Sequence, residues 1–152
     1  MKPVLFLRIA SVLTMIHSIL HTIGGVFGKP VPGVGAATLA IMKANQFSVM
    51  GVTRNYWEFL RGMGLAVTVF LAVEAIVFWQ LGTLAKSNAL HLRPILASFG
   101  LAYVALAWNA YVYIFAGPVI AELLIAACLG LAFVTAKAPD AVNASRLATG
   151  RA

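Results

Sequence analysis

Seven side chains able to do chemistry lie inside long apolar stretches of this sequence: His17, His21, Glu58, Arg61, Glu74, Asn109 and Glu122. Ionisable groups are costly where water does not solvate them, so each needs a partner or a task. Their types suit proton handling and the orientation of a polar ligand. Imidazoles change charge near neutral pH, carboxyls serve as general acids and bases, and a guanidinium grips a carboxylate or phosphate through paired hydrogen bonds.

Their spacing groups them. His17 and His21 are separated by one helical turn, as are Glu58 and Arg61, so on helices each pair shares a face. Trp108 and Asn109 add an indole and an amide, with Tyr111 and Tyr113 close by. Two histidines at i, i+4 can hold a zinc ion, but the stretch reads His17-Ser18-Ile19-Leu20-His21 and lacks the glutamate of the His-Glu-x-x-His pattern. The same two rings cannot approach one haem iron from opposite sides. Cys128 is the sole cysteine, which excludes an internal disulfide and cysteine-based zinc or iron–sulfur sites. No metal is assigned, and no cofactor is identified.

The elements that must position these residues follow from composition. Of 152 residues, 62% are hydrophobic and 10% charged, against about 45–50% and about 25% in a soluble domain. Too few polar residues remain to coat such a chain in water, so it is expected to be an integral membrane protein. Its charge of +7 comes from isolated Lys and Arg residues with no basic patch, which argues against nucleic acid as a partner. Most of them flank apolar runs, where they set orientation and meet lipid head groups.

Four apolar runs of membrane-spanning length are read, at about 4–26, 57–81, 95–115 and 119–136. The expected fold is an all-α bundle of four transmembrane helices in one domain, 1–138, followed by a flexible cytoplasmic tail, 139–152. The first run begins after Lys2 like a signal peptide. However, Arg8 interrupts it, His17 and His21 follow, and no A-x-A-like cleavage site comes after, so it is read as a retained helix. Gly28-Lys29-Pro30-Val31-Pro32-Gly33 opens the long first connection, within which Ala36–Met50 is expected as a short interfacial helix. Gly82–Pro94 is read as the second connection and Gly117-Pro118 as a tight turn between antiparallel neighbours.

With both termini cytoplasmic, Lys2, Arg8, Lys86, Arg93, Lys137, Arg146 and Arg151 share that face. Lys29, Lys43, Arg54 and Arg61 are left opposite, a distribution that favours this orientation. All the singled-out side chains except Glu74 then fall in the outer half of the bundle, contributed by four helices. If they face inward, His17, His21, Glu58, Arg61, Trp108, Asn109 and Glu122 line a polar cavity toward the outer leaflet. Glu74 follows Glu58 by 16 residues, about 160° away around the helix at about 100° per residue. It belongs to a different environment and is expected to bond Ser98 or another group of a neighbouring helix. Gly24 with Gly28, and Ala126 with Gly130, are small-residue pairs suited to close helix packing.

The layout resembles small bacterial four-span membrane proteins of the DoxX-like kind. The likeness rests on Arg8 early in the first span, on His21-Thr22-Ile23-Gly24-Gly25, and on the second-span start Tyr56-Trp57-Glu58-Phe59-Leu60-Arg61-Gly62-Met63-Gly64. It implies a four-helix bundle in a bacterial inner membrane and no assigned activity. Trp108-Asn109 with Glu58 and Glu74 bears a more distant likeness to sterol isomerase-like membrane proteins. The expected function is binding of a small apolar, lipid-like or quinone-like molecule in the outer cavity, with membrane lipids as surroundings. Two alternatives stand beside it: a lipid- or isoprenoid-modifying enzyme of the isomerase kind, and a non-catalytic accessory subunit. The accessory subunit's small-residue faces would meet another copy or another membrane protein.

Overall fold

The computed structural model describes residues 2–137; the expected tail, 139–152, lies outside them. The chain is mostly helical. Helix α1, Lys2–Leu20, passes into a π-helical turn, His21–Val26. Helix α2, Val34–Ala44, is followed by strands β1, Gln46–Val49, and β2, Val52–Asn55. Helix α3, Tyr56–Asn88, leads through a 3₁₀ turn, Ala89–Leu92, into α4, Arg93–Tyr113, and then α5, Ala116–Thr135.

Three helical stretches are long and apolar enough to cross a membrane: Lys2–Val26, Tyr56–Tyr113 and Ala116–Thr135. The middle stretch is two helices folded against each other. Glu74 pairs with Tyr103 and Phe78 with Phe99, numbers falling on α3 as they rise on α4, so the two run antiparallel.

The described chain divides into two compact units, residues 2–15 with 74–137, and residues 16–73. In the first, the start of α1 packs with the latter part of α3 and with α4 and α5. Leu7, Phe78, Leu96, Tyr103, Ile125 and Leu129 form its core, all nearly or fully buried. Buried alanines at 10, 75, 107, 110 and 132 let the helices approach closely, the packing that replaces a hydrophobic driving force inside lipid.

The second unit contains both polar and aromatic contacts, among them Phe47 against Tyr56 and Phe59. The Ser18 hydroxyl donates to the Thr68 carbonyl at 3.0 Å, and the Thr22 and Thr68 hydroxyls meet at 3.0 Å. Gly64 admits Val26, whose Cγ2 would sit 3.0 Å from any Cβ at that position.

Several boundaries differ from expectation. Helix α3 does not end at 81 but continues to Asn88, because Leu81 and Ala85 keep the helical spacing of buried positions. Most of the expected second connection is therefore helical. The short helix of the first connection covers Val34–Ala44 and stops at Asn45. The residues up to Met50 instead start an antiparallel hairpin pairing Gln46 with Asn55 and Val49 with Val52. Met50 and Gly51, at φ 52° and 80°, make its two-residue turn, the double positive φ that matches strand twist. The break before α5 falls at Ile114 and Phe115, and Pro118 sits in the first helical turn, where its missing N–H costs nothing.

Candidate functional site

In the first unit, α1 and α3 bound an open groove of about 290 Å³, lined by Ser11, Val12, Met15, Ala75, Ile76 and Trp79. The lining follows helical spacing on both sides. Arg8, Ser11, Val12 and Met15 form an i, i+3, i+4, i+7 stripe on α1, while Ala75, Ile76, Trp79 and Thr83 form the matching stripe on α3. The Ser11 hydroxyl donates to the Ala75 carbonyl at 2.6 Å, so its polarity is used up within the wall. The remaining lining is apolar apart from the indole N–H of Trp79.

Polar groups gather at one end of this groove. Arg8 Nη2 donates to Thr83 Oγ1 at 2.9 Å, and its guanidinium carbon lies 3.5 Å from the centroid of Trp79. Gly82 makes this possible. A Cβ there would meet Arg8 Nε at 3.3 Å and Leu7 Cβ at 3.5 Å, so the arginine lies along helix backbone that a side chain would occupy. Arg8 Nη1 is enclosed and has no hydrogen-bond partner among the described residues.

Deeper in the same unit, Tyr103 is fully buried and its hydroxyl donates to Glu74 Oε2 at 2.6 Å. The Thr14 hydroxyl stands 3.5 Å from the phenol oxygen. Glu74 thus has the neighbouring-helix partner expected of it, but that partner is Tyr103. Ser98 spends its hydroxyl on the Pro94 carbonyl one turn back. Glu122 is buried and its Oε2 has no hydrogen-bond partner. Trp108 and Asn109 lie on the exposed side of α4, where Trp108 stacks obliquely on Tyr111 with centroids 5.9 Å apart. With Tyr113 and Phe115, also exposed, Trp108 and Tyr111 form an exposed aromatic group at the end of α4 and the start of α5.

In the second unit the two histidines differ. His21 Nε2 is 3.1 Å from the Gly64 carbonyl; because a carbonyl only accepts, that nitrogen carries the proton. His17 is buried with Nδ1 unpartnered. Glu58 is exposed and serves its own helix. Its N–H donates to Asn55 Oδ1 at 2.8 Å while its Oε2 accepts from the Asn55 N–H at 3.2 Å, a reciprocal capping box at the start of α3. Arg61 lies over Phe27, 4.6 Å from the ring centroid. Glu58 and Arg61 therefore each have a separate local partner.

Of the small-residue pairs, Gly24 and Gly130 open onto free space, whereas a side chain at Gly28 would strike the Gly24 carbonyl.

Reasoning from the sequence assigned Arg8 to topology and passed over Trp79, Thr83, Thr14 and Tyr103 as site residues. The signal that could have found the groove is the Arg8–Ser11–Val12–Met15 stripe, in which a cation is in register with small and apolar residues. Comparison with protein-family models, curated proteins and solved structures found no match for the chain.

Proposed function

We propose that this chain is a four-span membrane protein with both termini cytoplasmic, the DoxX-like arrangement, and that it binds a lipid-like molecule along the α1–α3 groove. Two further observations support the membrane placement. Most apolar side chains of the long helices point outward, Leu5, Val69, Phe70, Leu101, Leu123 and Val134 among them. The 3₁₀ turn at Ala89–Leu92 also gives α3 and α4 a place to reverse between two crossings.

The groove carries the functional reading. Ligand pockets usually run from about 300 to 1,000 Å³, so a space of about 290 Å³, open along one side, suits one acyl or isoprenoid chain better than a fused ring system. Among the side chains of its apolar lining, the Trp79 indole N–H is the polar group not already spent on a hydrogen bond, and Arg8 stands at the end of the groove beside it. In the proposed orientation, Arg8 and Thr83 mark the cytoplasmic end, so the bound chain belongs to the inner leaflet.

Native mass spectrometry of the gently solubilised full chain tests this. The wild type is expected to retain one amphiphile per chain, and Val12→Phe with Ile76→Phe, both half-exposed positions on the groove wall, should release it. A wild type that carries no amphiphile, or a doubly substituted protein that keeps it, overturns the reading.

A further inference from the structure

The geometry points to a specific class of ligand for that groove: an anionic phospholipid of the bilayer, its head group held by Arg8 and one acyl chain lying against Val12, Met15 and Ile76. This rests on the lipid-binding reading and adds to it the charge of the head group and the leaflet position of the ligand.

The inference starts from what Arg8 lacks. Its charge is placed about two turns from the end of α3, against Trp79 and Thr83, with no carboxylate of the described residues bonded to it. Thr83 satisfies Nη2 and the indole face receives the plane of the cation, but Nη1 is enclosed and bonds to nothing among the described residues. A buried guanidinium N–H without an acceptor is expensive, more so than a neutral donor. Of the three acids among the described residues, Glu58 is committed to its cap, Glu74 to Tyr103, and Glu122, buried on α5, makes no bond to Arg8. A phosphate oxygen is an acceptor that a guanidinium binds well, and the half-buried Arg8 meets it by turning Nη1 out of its enclosure toward the groove.

Lys86 strengthens the sign of the field. It follows Thr83 by three residues on α3 and is exposed, so it stands on the same face one turn nearer the helix end. Two cations and a hydroxyl therefore border the polar end, and Trp79 belongs both to that end and to the apolar wall. From Arg8 to Met15 the stripe is about 10 Å long, at about 1.5 Å per residue, room for the upper part of one acyl chain. A net-negative head group is drawn to this end, whereas a zwitterionic one brings its own cation to face Arg8 and Lys86.

Quenching of Trp79 fluorescence by brominated lipids tests the inference. The full-length protein, with Trp57→Phe and Trp108→Phe leaving Trp79 as the sole indole, is placed in phosphatidylcholine vesicles containing increasing fractions of dibrominated phosphatidylglycerol or dibrominated phosphatidylcholine. Phosphatidylglycerol is expected to reach half-maximal quenching at a fraction about fivefold lower, the factor that one well-placed cation supplies near a surface. Arg8→Gln should abolish that preference, Arg8→Lys should keep part of it, and raised salt should narrow it.

Should Arg8→Gln not fold, Gly82→Val provides a second route, since its side chain displaces the guanidinium and should also erase the preference. Equal quenching by both lipids, with Val12→Phe and Ile76→Phe reducing both, overturns the head-group inference and leaves the groove reading standing. Quenching that this double substitution leaves unchanged for either lipid means Trp79 meets bulk lipid only, and the groove reading fails with it.

Discussion

Helix α3 treats its polar residues differently at its two ends. At the start, Glu58 finds its partner within one turn, in the backbone and side chain of Asn55, while the exposed Arg61 only lies over the Phe27 ring. Toward the other end, Glu74, Trp79 and Thr83 take theirs from far along the chain, from Tyr103 and Arg8. The first arrangement is exposed and serves to start a helix. The second lies among the packed helices of the first unit, where each partner fixes how one helix is rotated against another. A charge that caps its own helix is a structural device, while one satisfied across helices, or left unsatisfied, marks a place where the fold has committed polarity to a site.

The largest effect expected from breaking this contrast is at Tyr103. Tyr103→Phe keeps the ring packed against Phe78 but removes the donor to Glu74, leaving a carboxyl in the apolar interior without its bond. The cost should be about 1–3 kcal/mol, read as equilibrium unfolding in mild detergent with graded sodium dodecyl sulfate. Paired with Glu74→Gln in a double-mutant cycle, it should show a coupling of about 0.5–2 kcal/mol, the span seen for bonds between membrane helices and other contacting pairs. Additive single effects would mean that the 2.6 Å bond does nothing for the helix pair.

The start of α3 should respond less and only locally. Asn55→Ala removes the cap and should cost about 1 kcal/mol, with faster hydrogen exchange confined to the first turn after Tyr56. Glu58→Gln should be close to neutral, because glutamine serves equally at the third position of a capping box. That variant separates two roles for Glu58. A structural cap predicts unchanged lipid retention and unchanged exchange, whereas loss of a retained ligand on Glu58→Gln would return the residue to the binding site expected from its place in the sequence.

This difference in reach also sets what could be read in advance. The capping box was present as Asn55-Tyr56-Trp57-Glu58, two polar residues three apart before an apolar run, yet a carboxyl near a span invites a chemical reading before a structural one. For Glu74 the need for a neighbouring-helix partner followed from its place inside an apolar run. Tyr103 did not, because choosing between it and Ser98 requires the rotation of both helices, and that depends on α3 continuing to Asn88. The groove escaped for a related reason. Periodicity assigns Arg8 and Met15 to one face of α1, but only tertiary packing brings Trp79 and Thr83 beside them.

Among the substitutions expected to change stability, the smallest effect belongs to the hairpin that precedes α3, and its sign is the informative part. Met50 is almost fully exposed, at 99%, and holds a φ of 52°, so its side chain gains little from contacts while its backbone occupies the left-handed region. That conformation costs an L-residue roughly 1–2 kcal/mol. Glycine relieves it but loses roughly 0.5–1 kcal/mol more in backbone entropy on folding, so Met50→Gly should stabilise the hairpin by about 0.5 kcal/mol. Slower hydrogen exchange at Ser48 and Thr53, whose hydroxyls meet at 2.8 Å, would register the gain. A loss instead would mean that the Met50 side chain is held by something outside the chain, and the membrane surface beside an apolar hairpin tip is the first place to look, since Val49 and Val52 are exposed beside it.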